Sequence, residues 1–134
     1  MNDLTPRDRT ALEAIVAQLA QAWNAGDGKQ FASVFAYDGD QINIMGEQLI
    51  GRDQIRERHE KIFKTVFRGS RNILKVVSAR YAGANVILAR ISSTVAVPHG
   101  ELQGELHTLG SLVLRNTGSN WEVVLFHNTR VALD

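Results

Sequence analysis

The sequence predicts an α+β domain, with helices first and a long antiparallel sheet after them. Apolar residues recur at helical spacing through residues 12–23 and again through 55–66. The second half holds only long strand-like stretches separated by polar, Gly-containing turns. Helices and strands segregated along the chain define this class. At 134 residues, with 44% apolar and 22% charged, the chain suits one domain, 1–134, with a single core and no wholesale disorder.

Thr5-Pro6 opens the first helix: Thr5 suits the cap, Pro6 the first turn, and Asp8 the positive end of the dipole. Leu12, Ile15, Val16, Leu19 and Trp23 form its stripe, and Gly26 ends it. Asp27 caps a short second helix, with Gln30 completing a capping box. Asp38-Gly39-Asp40 reads as a turn, followed by alternation over 41–45. Gly46-Glu47 turns again into a short strand at 48–50. A third helix spans 52–67, its stripe being Ile55, Ile62, Phe63 and Val66, with His59 among them. Strands at 73–82 and 86–97 flank Gly83-Ala84-Asn85, and strands at 105–115 and 121–131 flank a second turn. Strands this long predict a strongly bent sheet.

A net charge of +1, with Lys and Arg scattered, gives no electrostatic case for nucleic acid. The absence of Cys excludes disulfides, thiolate metal sites and Cys nucleophiles. The polar residues 1–9 do not resemble a secretory signal, and no run approaches the ~20 apolar residues of a membrane span. A soluble, cytoplasmic protein without membrane partners is the expectation.

His59 is the first candidate for chemistry. A His on an apolar stripe is partly desolvated, and one neighbour sets its charge state. It is either a core His with a backbone partner or the acid/base group of a cavity. His127 and Asn128 are adjacent, so in a regular strand they point to opposite faces, and both faces of 121–131 are mostly apolar. Trp121, Val123, Leu125 and His127 then share one face, and Val124, Phe126 and Asn128 the other. The pattern does not choose which meets a cavity. His127 is a candidate acid/base group or an interface residue. His107 reads as an exposed strand His and His99 as a solvated turn residue. Asp40 is a general base if buried and a turn residue capping local amides otherwise. The histidines lack short ligand spacing, and there is no phosphate loop or nucleophile elbow, so neither metal nor other cofactor is expected.

The order of these features resembles the SnoaL-like (nuclear transport factor 2-like) superfamily. The resemblance rests on 22–27 (Ala-Trp-Asn-Ala-Gly-Asp), 35–40 (Phe-Ala-Tyr-Asp-Gly-Asp), Gly46 through Arg52 with Ile55 and His59, and Trp121 through Thr129. By eye it is nearest the SgcJ/EcaC-type subgroup. It implies a cone: three helices packed on a strongly curved antiparallel sheet, with a mixed edge, enclosing a pocket. It also implies homodimers through sheet faces. Within such a pocket, His59 and His127 are the candidate catalytic residues. Trp23, Asn43, Phe63 and Asn128 are the candidate ligand contacts.

The ketosteroid isomerases share this fold and use a strand carboxylate as base with a Tyr on the first helix. Those positions fall on Asn43 and Leu19, which can neither take a proton at neutral pH nor donate from a ring hydroxyl. Three readings stay open. One is an enzyme doing cyclase-, dehydratase- or isomerase-like acid/base chemistry on a small apolar, oxygenated metabolite. The second is a non-catalytic binder of such a molecule. The third is an oligomerisation module.

Overall fold

The computed structural model describes residues 4–132. Residues 1–3 of the polar start and residues 133–134 of the expected domain lie outside the described residues. The elements run α1 (Pro6–Ala25), α2 (Gly28–Ala32), β1 (Phe35–Ile42), β2 (Gln48–Ile50), α3 (Arg52–Ile62), β3 (Arg71–Gly83), β4 (Val86–Val97), β5 (Gly104–Asn116) and β6 (Trp121–Arg130). The helices pack on the concave side of one curled, unclosed sheet of order β2-β1-β6-β5-β4-β3. All neighbours are antiparallel except β1 and β6, which run parallel. The mixed pairing therefore sits inside the sheet, one strand in from the edge.

Local signals place the helices. Thr5 Oγ1 accepts from the Asp8 N–H at 3.1 Å, and Gly26 closes α1 at φ 66°. Asp27 accepts from the Gln30 N–H at 3.0 Å. The third helix stops at Ile62 rather than continuing to residue 67. Beyond it the backbone tightens into turns, with the N–H groups of Thr65 and Phe67 both donating to the Ile62 carbonyl. Phe63 and Phe67 remain buried, so the apolar spacing persists where the helix does not.

The first strand begins earlier than the sequence suggests. Asp38-Gly39-Asp40 is strand, not turn. Phe35 lies opposite Val123 but Asp40 lies opposite Leu125, so β1 carries extra residues against β6. Gly39 is required within this irregular stretch, because a Cβ there would stand 2.7 Å from the Val123 carbonyl oxygen. Asp40 pairs with Ile50 and Leu125 as an ordinary strand residue.

Inward residues interlock in rows across the sheet. One row is Tyr81, Ile87, Leu114, Val123 and Phe35; the next is Ala79, Ala89, Leu112, Phe126 and Gln41. Leu12, Val16 and Leu19 of α1 belong to the same buried cluster. At this end a polar knot ties the start of α1 to two strands. The Tyr81 hydroxyl donates to Asp8 Oδ2 at 2.5 Å, the Trp121 indole donates to Asp8 Oδ1 at 3.2 Å, and the Thr5 N–H donates to the Tyr81 oxygen at 3.1 Å.

The Tyr81 hydrogen bond, followed by those of Trp121 and Thr5, holds the Asp8 carboxyl below its usual range. A depressed carboxylate stabilises the fold above its unfolded-state pKa, about 3.9, and loses that contribution as pH falls through its folded value. The urea midpoints of the wild type and Asp8→Asn should therefore differ at pH 6, and the gap should narrow as pH falls below the unfolded-state value of about 3.9.

Candidate functional site

A small cavity of about 40 Å³ opens between the helices and the far end of the concave face. Its helical wall is Trp23 of α1, His59 and Ile62 of α3, and Phe67 just beyond. Ile44 and Met45, from the loop joining β1 to β2, cover another side. The sheet contributes Val95 and a band of polar side chains: Gln41, Asn128, Thr108, Ser93 and Asn72.

Register explains that band. Gln41 is level with Phe126, Asn128 lies two residues further along β6, and Thr108 lies two residues from Gly110, the partner of Asn128. Ser93 pairs with Thr108, and Asn72 pairs with Val95, two residues beyond Ser93. The polar positions thus cross every long strand as a diagonal. On one side of it the inward face is apolar core.

Asn128 reaches the cavity because β6 carries a bulge. Val113 lies opposite Leu125 and Leu114 opposite Val123, which leaves Val124 as the extra residue. The extra residue reverses the alternation, so Trp121 and Val123 share the inward face with Phe126 and Asn128. His127 is displaced from the cavity for the same reason. It is exposed on the opposite face, opposite Ser111 and Ile42. The regular alternation that joined Val123 to His127 does not hold. Gly110 completes the arrangement, since a Cβ there would stand 2.4 Å from Asn128 Oδ1.

His59 is 1% exposed. Its Nδ1 lies 2.7 Å from the Ile55 carbonyl oxygen. A carbonyl cannot donate, so Nδ1 carries the proton and Nε2 is left as the acceptor of the ring. The ring stacks on Phe31, centroids 4.1 Å apart and planes 19° apart, and meets Phe63 edge-on at 5.6 Å. Burial pushes the imidazole down to about 4, against the smaller opposing effect of the Ile55 hydrogen bond. At neutral pH the ring is uncharged.

Asn43 borders the cavity, but its side chain is engaged in its own loop. Oδ1 accepts from the N–H groups of Met45 and Glu47, and Nδ2 donates to Glu47 Oε1 at 2.8 Å. Arg58 Nε donates to the same carboxylate oxygen at 2.8 Å. Arg58 first, then Asn43, holds the Glu47 carboxyl below its usual range. Asn43 thus fixes the loop that carries Ile44 and Met45, and the loop is fastened to α3. Trp23 is an aromatic wall whose indole N–H donates to Ser70 Oγ at 2.8 Å. Phe63 packs edge-on against Trp23 at 5.0 Å, on the side of an outer groove rather than in the cavity wall.

Gln41, Asn72, Ser93 and Thr108 were not among the sequence candidates. The available signal was a polar residue at an otherwise apolar inward position of each strand, legible only with the register known. The Ser93 and Thr108 hydroxyls hydrogen-bond each other. The side-chain oxygens of Gln41 and Asn72 are buried without a partner. None of the residues lining the cavity is Asp, Glu, Lys or Arg. Among the described residues no group of three or more His, Cys, Asp or Glu is placed to hold a metal, and no helix is long and apolar enough to cross a membrane.

The curled sheet with helices over its concave face and a cavity at one end defines a protein of the cystatin-like, ketosteroid isomerase-like architecture. The family model for the SnoaL-like domain matches residues 12–131, and the chain belongs to that family. It is similar to a domain of unknown function with a cystatin-like fold from Nostoc punctiforme, at 28% identity and TM-score 0.85 over 97% of this chain and 81% of that one. It is also similar to an uncharacterized protein with the same fold from Caulobacter vibrioides, at 26% identity and TM-score 0.81 over 94% and 91% of the two chains. A ketosteroid isomerase-like protein from Erwinia carotovora atroseptica shares the fold at 13% identity and TM-score 0.79, over 96% of this chain and 100% of that one. No curated protein matches the sequence.

The lowered imidazole predicts an acid-sensitive fold. In the unfolded chain His59 takes a proton near pH 6.5, but in the folded protein only near 4. Between these values the unfolded state binds more protons, so stability falls as pH drops from 6.5 to about 4, by roughly 3 kcal/mol from this group. His59→Leu should flatten that part of a urea-midpoint profile. NMR of the ring should show the Nδ1–H tautomer throughout neutral pH.

Proposed function

We propose that the protein binds a small, uncharged, largely apolar molecule carrying oxygen functions in this cavity. The observation that carries the reading is a band of primary amides on the cavity wall, from Gln41, Asn72 and Asn128, none of them engaged by a protein side chain, with the oxygens of Gln41 and Asn72 buried and unpartnered. Native interiors pair such groups, and a buried unpaired one costs about 1–3 kcal/mol. Apolar walls with a few unpaired polar groups are what a small-molecule site requires.

Acid/base catalysis is the second reading, favoured by the fixed tautomer of His59, which leaves Nε2 as a proton acceptor. No carboxylate accompanies it among the lining residues, and its low basicity suits hydrogen bonding to a ligand better than proton abstraction. At the position where the resemblance puts the ketosteroid isomerase base, Asn43 is an amide that cannot take a proton at neutral pH, and it is committed to its own loop. From the order of the sequence motifs we infer the SgcJ/EcaC-type subgroup, and we infer a cytoplasmic protein.

Native mass spectrometry tests the binding reading. Protein purified without denaturation should release a small neutral species on unfolding, and His59→Leu, folded by circular dichroism, should retain less of it. A wild type that carries no such species, and that no neutral fragment stabilises against heat, would sink the proposal.

We further propose a homodimer through the outer face of the sheet. Ile50, Ile73 and Leu109 are exposed there, Leu109 at 45%, and a buried Arg90 guanidinium nitrogen has no partner on the same face. Exposed apolar side chains on an outer face that could otherwise be fully polar suit contact with a second copy. Sedimentation should give twice the mass of one chain, and Leu109→Glu should yield monomers.

A further inference from the structure

We propose that the cavity reads one uncharged function that donates and accepts hydrogen bonds side by side, as a lactam or primary carboxamide does, through the amides of Gln41, Asn72 and Asn128. This rests on the reading of the cavity as a ligand site and adds the chemistry of its occupant.

The amides are presented rather than left over. Gln41 is 2% exposed and Asn72 6% exposed. Asn72 is held by its backbone alone: its N–H donates to Asn24 Oδ1 at 2.7 Å, and its carbonyl accepts from Asn24 Nδ2 at 3.0 Å. The Asn24 side chain, on α1, is used up in this clamp, and the Asn72 side chain is kept free. Asn128 is kept free by Gly110, whose missing Cβ leaves the space its amide occupies. The β1–β6 pairing likewise fixes the Gln41 backbone. Separate strands thus deliver primary amides to one cavity, each with its main chain engaged elsewhere.

A primary amide carries an N–H donor beside a carbonyl acceptor, and its best complement is the same pair reversed. His59 Nε2 adds an acceptor, so a ligand function without a donor leaves lone pairs unmatched. An ionised function is worse. It would lose its hydration and meet no countercharge, because the lining holds no ionised side chain. Size sets a further limit. About 40 Å³ holds roughly three waters at 10–15 Å³ each, so the cavity takes the functional end of a ligand and not a fused-ring skeleton.

Four five-membered-ring probes test this at pH 7 on the whole ¹⁵N-labelled chain. 2-Pyrrolidinone donates and accepts, cyclopentanone only accepts, cyclopentanecarboxylate is an anion and pyrrolidinium a cation. The side-chain NH₂ signals of Gln41, Asn72 and Asn128 are followed together with the methyls of Ile44 and Ile62. The lactam is expected to move all three amides and to bind about tenfold tighter than the ketone, one net hydrogen bond's worth. The ions should move none. In Gln41→Leu and Asn72→Leu, lactam affinity should fall about tenfold, and either folded variant suffices. A ketone that binds as tightly, an ion that moves the amides, or variants that bind the lactam unchanged would overturn the proposal. If all four probes move the methyls alike, the ligand site stands and amide recognition falls. If no probe moves either set, both fall, and the amides serve only ordered water.

Discussion

The parallel pairing of β1 with β6, and the irregularities built into both strands, set the character of this molecule. Everything that faces the cavity from that side depends on them. Val124 adds a residue to β6, and the alternation after it is inverted relative to the alternation before it. Phe126 therefore joins the core and Asn128 the cavity, while His127 turns outward. On β1 the surplus between Phe35 and Asp40 absorbs the difference in residue count between the two strands, and Phe35 and Gln41 both lie inside. Gly39 permits the strands to approach at that point, with backbone where a side chain would otherwise stand. A bulge is a local defect in pairing, but here it changes which chemistry the protein can present.

The consequence is a site whose polarity comes from amides, hydroxyls and one neutral imidazole. Charged groups have been placed around it but not in it. Glu47 and Arg58 pair with each other and secure the Asn43 loop, and Asp8 is absorbed into the Tyr81–Trp121 knot at the opposite end. Each end of the cone is thus fastened by a satisfied carboxylate, while the buried amides between the ends are unsatisfied. That contrast separates the polar groups that hold the fold from those available to a ligand. His59 belongs to both sets: its Nδ1 is committed to the Ile55 carbonyl, and its Nε2 is not.

Much of the fold was legible from local chemistry. Thr5, Gly26 and Asp27 mark helix boundaries by capping, which depends on the nearest few residues. Strand β4 was placed at 86–97 because its alternation is long and turns bound it on both sides. The Asp38-Gly39-Asp40 segment misled because Asp and Gly are the residues of turns. Here the Gly is needed for close backbone approach, a demand made by a strand distant in sequence. The end of α3 misled because Phe63 and Phe67 keep apolar spacing after the helical hydrogen bonds have changed. Of the site, His59, Trp23, Asn43 and Asn128 were picked out by type and position. Gln41, Asn72, Ser93 and Thr108 were not, since a lone polar residue in a strand carries no sign of which face it occupies.

By itself the sequence determined the order of elements, the family and the placing of an imidazole on the helical wall, because caps, periodicity and ordered motifs are short-range properties of the chain. Only the tertiary structure decided which face of β6 meets the cavity, that Asn43 serves its loop, and that amides from separate strands converge. The reason is that a bulge in a uniformly apolar run such as Val123-Val124-Leu125-Phe126 leaves no trace in composition. It exists only as a mismatch of register with β5 and β1, and the convergence of the amides follows from that register.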